Sequence, residues 1–219
     1  MIVNINYRVG PWGFFTTGSS DAPGNMAVWD ALNALKFLNK VADSFGGDSN
    51  NIVLVGQGVG GVLAKSVSYS PLASGLYAKV MTFGSTPLQP KITESLDSYL
   101  EKNKQFAERV SKTGSDTPYL EGAIRAGSSL IYHKPVYKDL KHYLDNGNKE
   151  VYLYSFDYRR EQDHSWWKAA GSFHNFELCF IENFYPFPFY KFDSTAGRDG
   201  KMEQRFSSVI ASFAKTGKP

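Results

Sequence analysis

The run Asn51-Ile52-Val53-Leu54-Val55-Gly56-Gln57-Gly58-Val59-Gly60-Gly61-Val62-Leu63-Ala64 reads as a short apolar strand, a glycine-dense turn and the start of a helix. A sharp strand-to-helix turn supports two kinds of chemistry. It can lift a nucleophilic side chain at its tip, or it can turn backbone N–H groups toward a phosphate. Gly56, Gly58 and Gly60, at alternate positions, mean either that bulk is excluded or that positive φ is needed. The phosphate reading lacks the lysine and Ser/Thr that should follow the glycines. The glycine spacing also misses the dinucleotide pattern by one residue. For the nucleophile reading, the turn holds no hydroxyl. Ser66 and Ser68 lie about two turns further along the helix.

Other reactive residues are few. Cys179 is the only cysteine, so an internal disulfide and a cysteine-rich zinc site are excluded. His133, His142, His164 and His174 have no metal-site spacing, so no metal and no cofactor is expected. The formal net charge of +3 comes from scattered basic residues, so charge alone does not argue for nucleic acid, and none is expected as a partner. At 42% hydrophobic and 15% aromatic the chain can bury a core. No apolar run is long enough to span a bilayer. Met1–Tyr7 lacks the features of a signal peptide, so the chain is expected to be either cytoplasmic or a fragment whose start is missing.

The elements that must position the turn follow from periodicity. Residues 2–8 form a β-rich run, and Val9–Phe15 a loop. Asn25 is a helix N-cap, followed by an apolar face at Val28, Leu32, Leu35, Leu38 and Val41, with Phe45-Gly46-Gly47-Asp48 as the stop. Ile52–Val55 is a strand, Val59–Ser68 a helix, and Lys79–Gly84 another strand. Alternating strands and helices predict an α/β fold with a mostly parallel sheet flanked by helices. Beyond it, residues 91–112 have helical spacing at Leu96, Leu100, Phe106 and Val110. Thr113–Ser129 is undecided, Pro135–Leu144 a helix, and Asn146-Gly147-Asn148 a turn. Val151–Tyr158 is a strand, 160–172 a loop, and Met202–Ala214 a final amphipathic helix.

Several of these stretches, in order, resemble the type-B carboxylesterases, the cholinesterase-like branch of the α/β-hydrolases. Asn6-Tyr7-Arg8-Val9-Gly10-Pro11-Trp12-Gly13-Phe14 resembles the family's N-Y-R-x-G-x-x-G-F run. Ala22-Pro23-Gly24-Asn25 with Asp30, Ala34-Leu35 and Phe45-Gly46-Gly47-Asp48 resembles its next helix and turn. Gly56-Gln57-Gly58-Val59-Gly60-Gly61 falls on its G-E-S-A-G-G elbow. Gly171-Ser172-Phe173-His174-Asn175-Phe176-Glu177-Leu178 resembles G-x-x-H-x-x-E-L, and Phe213–Pro219 resembles F-A-K-T-G-x-P. The likeness covers roughly residues 1–90 and 128–219, within one expected domain, 1–219, whose stretch 91–127 matches poorly.

The resemblance implies ester hydrolysis by a serine, a histidine base and an orienting carboxylate. It places the serine at Gly58, which has no side chain to attack with. It places the base at His174, and the Val59 N–H as one oxyanion donor. Glu121, followed by Gly122, is a two-residue match to the acid. The family's upstream oxyanion loop has no counterpart, and the interval from Gly58 to His174 is shorter than the family's. The expected chain is therefore incomplete at its N-terminus, shortened in the middle and catalytically inactive. The alternatives are an active ester hydrolase with an unrecognised nucleophile, or an adhesion or binding domain, as the family's serine-less members are.

The aromatic set from Tyr152 to Tyr190 (Tyr152, Tyr154, Phe156 and Tyr158, then Trp166, Trp167 and further Phe and Tyr residues) suits a core strand with an aromatic loop packed on it. It would also suit a pocket for a small apolar or ester ligand, or a patch for a protein partner.

Overall fold

A computed structural model of the protein describes residues 1–16, 20–21, 23–89, 128–158, 172, 176–181 and 197–219. It contains two compact units, Met1–Pro87 and Leu88–Pro219.

In the first unit the elements run α1 (Gly10–Phe14), α2 (Met26–Val41), β1 (Val53–Gln57), α3 (Val59–Tyr69) and β2 (Lys79–Phe83). The strands β1 and β2 are parallel, with Val53 opposite Lys79 and Gln57 opposite Phe83. Parallel neighbours cannot be joined by a tight turn, so α3 makes the crossover. The core joins Ala27, Ala31, Leu32 and Leu35 of α2 to Leu63 and Val67 of α3, with Ala73 beneath and Ile52 and Leu54 alongside. The buried stripe of α2 therefore includes two alanines that the apolar spacing passed over, while Leu38 and Val41 are half-buried. Small side chains let the two helices approach closely.

The α2 segment ends in a 3₁₀ turn, Ala42–Phe45. Gly46 follows at φ 73°, its N–H on Asp43 O at 3.2 Å and the Gly47 N–H on Ala42 O at 2.9 Å. This is the glycine stop expected from the sequence. Asn25 stands at the other end as expected but works differently. Its φ of 58° is left-handed and its side chain makes no cap bond. Its carbonyl instead accepts from the Val28 N–H at 2.9 Å, and asparagine serves because it tolerates that conformation.

Two expectations fail in this unit. Residues 2–8 form no strand. A strand exists only through a neighbour that takes its backbone hydrogen bonds, and among the described residues β1 pairs with β2 alone. Val9–Phe15 is not all loop: it holds α1, whose Pro11 sits in the first turn, where a missing N–H costs nothing.

In the second unit a π-helical turn, Ser129–His133, leads into α4 (Lys134–Asp145). A 3₁₀ turn, Phe176–Phe180, and α5 (Gly197–Thr216) follow. α5 begins five residues before the expected Met202, because its polar first turn carries no apolar spacing. Val151–Tyr158 forms no strand, yet its alternate residues behave as one side of one. Tyr152 meets Phe213, Tyr154 meets Phe206, Phe156 meets Phe206 at 5.2 Å, and Tyr158 meets Phe180 at 5.3 Å. The period-2 signal marks a real face, but the ladder it implied is absent. Of the other expected segments, 91–112, nearly all of Thr113–Ser129, and 160–172 apart from Ser172 lie outside the described residues. So do Trp166 and Trp167. No described helix is long and apolar enough to cross a membrane.

Candidate active site, a strand-to-helix elbow with glycine at its tip

β1 ends at Gln57, α3 begins at Val59, and Gly58 alone makes the turn. Its φ of 52° and ψ of −124° lie where a side chain is strained. That strained tip is what a nucleophile elbow uses to expose its reactive oxygen. Gly58 is held on both sides. Its N–H donates to Phe83 O on β2 at 3.1 Å, and its carbonyl accepts from the N–H groups of Gly61 at 3.0 Å and Val62 at 3.1 Å. A Cβ placed on Gly58 meets none of the described residues within 4 Å. The turn has room for a side chain and carries none.

The neighbouring glycines serve a different purpose. A Cβ on Gly56 would overlap the Gly60 carbonyl, and one on Gly61 would overlap Ser85 Oγ. Both let α3 press onto the strands. Gly60 does neither: its φ is not positive and a Cβ there meets open space. The two explanations for the glycines thus divide by position, bulk excluded at Gly56 and Gly61, positive φ at Gly58.

Val59 opens α3, and no side chain caps that first turn. The nearest helix hydroxyls are committed. Ser66 Oγ donates to Val62 O and Ser68 Oγ to Lys65 O, both at 2.8 Å. Ser85, just past β2, was not legible as a site residue. It is 4% exposed, and its Oγ has no hydrogen-bond partner among the described residues. A groove of about 340 Å³ runs along β1 past Gly56, Gln57 and Gly60, walled on the other side by Val3, Ile5 and Tyr7.

His174 and Glu121 lie outside the described residues. Glu177, three positions after His174, is described: all of Phe176–Phe180 is buried, and Glu177 is 6% exposed. Desolvation pushes its carboxyl up from the usual value, against a backbone hydrogen bond that lowers it. The motif matched Glu177 as its E without giving it a role; that it is buried required the structure. Cys179 is also buried. Among the described residues, no three His, Cys, Asp or Glu side chains gather as a metal site requires.

A model of the carboxylesterase family matches residues 1–119 and 111–219. This chain belongs to the carboxylesterase family. It carries the α/β-hydrolase fold, of which the β1–α3–β2 crossover is the described part. Similar curated carboxylesterase relatives include Esterase cest-33 of Caenorhabditis elegans, 34% identical over 55% of this chain and 22% of its own length. Bile salt-activated lipase of Bos taurus is 33% identical over 57% and 21%, and Acetylcholinesterase-1 of Trittame loki 36% over 50% and 20%. The chain therefore spans about a fifth of the length of these relatives. Among solved structures, juvenile hormone esterase of Manduca sexta aligns at 24% identity and a TM-score of 0.40, covering 64% of this chain and 26% of that one.

Proposed function

We propose that this chain is a single carboxylesterase domain, residues 1–219, that does not hydrolyse esters and keeps its site as a scaffold for binding a small apolar or carboxylic-ester ligand. The observation that carries the reading is Gly58. The elbow has its turn, its strained φ and its anchoring hydrogen bonds, and at the tip there is no atom to attack a carbonyl. In this reading His174 holds the place of the general base, Glu121 that of the acid and the Val59 N–H that of an oxyanion donor. The names of the relatives, esterases and a lipase among them, support the ester as the ligand class.

A triad that loses its nucleophile keeps only the assistance of binding and oxyanion contacts, on the order of 10³–10⁴-fold over water. Turnover of an aryl acetate by the purified chain tests this. The expected rate is that of the buffer blank or within this residual, with His174→Ala changing nothing, since a base without a nucleophile has no proton to take. Saturable turnover that falls on His174→Ala contradicts the reading.

A further inference from the structure

We propose that the Asn146–Gly147 peptide is a deamidation site whose rate is set by opening of the end of α4. The two residues form the close of that helix. Asn146 is the C-cap and Gly147 follows at φ 81°. The Gly147 N–H donates to Leu144 O and the Asn148 N–H to Tyr143 O, both at 3.0 Å. These are the paired bonds of a Schellman ending. The Asn146 side chain joins in, its Nδ2 donating to His142 O at 2.7 Å. All three residues, 146–148, are exposed to water.

Glycine after asparagine leaves the chemistry unobstructed. A Cβ on Gly147 would meet nothing within 4 Å, and glycine offers no side chain to shield its own nitrogen. In the reaction, base removes the Gly147 amide proton and the nitrogen attacks Asn146 Cγ. The N–Cγ bond forms, the Cγ–Nδ2 bond breaks and the side-chain nitrogen leaves as ammonia, giving a five-membered imide. Water then opens the imide at either carbonyl. Opening at Cγ gives aspartate; opening at the main-chain carbonyl gives isoaspartate, with the backbone rerouted through Cβ. Nothing is oxidised or reduced.

The cap opposes the first step twice. The attacking nitrogen is tied to Leu144 O and the leaving nitrogen to His142 O, so α4 must fray before either is released. The product prevents the cap from re-forming. An acid lacks the Nδ2 donor, and its negative charge falls at the negative end of the helix dipole, beside Asp145. Rerouting the backbone also removes the register of the Gly147 and Asn148 bonds. The site is thus a one-way step from a closed to an open helix end.

The test is peptide mapping of the full chain incubated at pH 8 and pH 6, against a synthetic peptide of residues 140–152 in the same buffers. Expected is the mass gain of –NH₂ becoming –OH at Asn146, with isoaspartate, faster at pH 8. It should be about tenfold slower in the folded chain than in the peptide, as a frayed end a little above 1 kcal/mol away implies, and equal to the peptide in urea. Asn148, followed by lysine, should lag behind. No conversion at Asn146 once the peptide has converted, or equal rates in folded chain and peptide, overturns the proposal.

Discussion

A Cβ on Gly61 would overlap the hydroxyl of Ser85, and that hydroxyl is buried with no hydrogen-bond partner among the described residues. The first turn of α3 therefore packs closely against Ser85, just past β2, and against the Gly56 carbonyl, 3.0 Å from that Cβ. Gly61→Ala should lower the urea midpoint, at a cost of about 1–3 kcal/mol from overpacking. Ser85→Gly in the same chain should return part of that loss. Ser85→Ala alone should be neutral or stabilising, because an orphan buried hydroxyl itself costs about 1–3 kcal/mol. A destabilised Ser85→Ala would show that the hydroxyl is satisfied in solution.

Arg8 ties the N-terminal segment to α2. Its backbone N–H and Nε both donate to Asp30 Oδ2, at 3.0 and 2.8 Å, and Nη2 donates to Oδ1 at 2.6 Å. The side-chain hydrogen bond from Arg8 is the main reason that Asp30 falls from 3.8 to about 2. A lowered carboxylate pKa gives stability that is present above the unfolded value and lost as pH falls through the window from 3.8 to about 2. Asp30→Asn should remove that acid limb from a plot of Tm against pH and leave the neutral region lower. The pair is exposed, so the effect should shrink in high salt. An unchanged acid limb in Asp30→Asn would refute this assignment.

Glu177 should act in the opposite sense. Burial raises its folded pKa above the ordinary 4.5, so the fold holds the proton more tightly than the unfolded chain does. Its favourable contribution is present below 4.5 and is lost as pH rises through the folded value. Glu177→Gln, which keeps the shape without the charge, should therefore flatten the loss of Tm above that point and leave the chain as stable or more stable at neutral pH. A Glu177→Gln chain that is less stable at neutral pH would mean that the carboxylate is ionised and held by a partner.

Much of the first unit was legible because its signals are local. Glycine after Phe45 ends a helix whatever surrounds it, and the apolar spacing of α2 and α3 needs no partner to be read. The elbow was legible for the same reason, since strand, glycine and helix follow one another directly. What failed depended on neighbours. Residues 2–8 and Val151–Tyr158 have the alternation of strands, but alternation says nothing of who accepts the hydrogen bonds. Asn25 marks the start of α2 for a reason other than the one its type suggests, because its side chain makes no cap bond while its backbone does the capping. Ser85 gave no signal: a serine after a strand looks like any other until the helix above it is placed.

In the reading proposed above, Gly58 leaves the elbow with the turn of a nucleophile and no side chain at its tip. Intact-mass analysis after exposure to a fluorophosphonate probe tests it most directly, with Gly58→Ser treated alongside. A Cβ at this position meets none of the described residues within 4 Å, so the variant has room for its hydroxyl at the tip, at the cost of a strained φ. No adduct is expected on the natural chain, and in the Gly58→Ser variant an adduct is expected on the introduced hydroxyl. A stoichiometric adduct on the natural chain would contradict that reading, and mapping that adduct would identify the nucleophile.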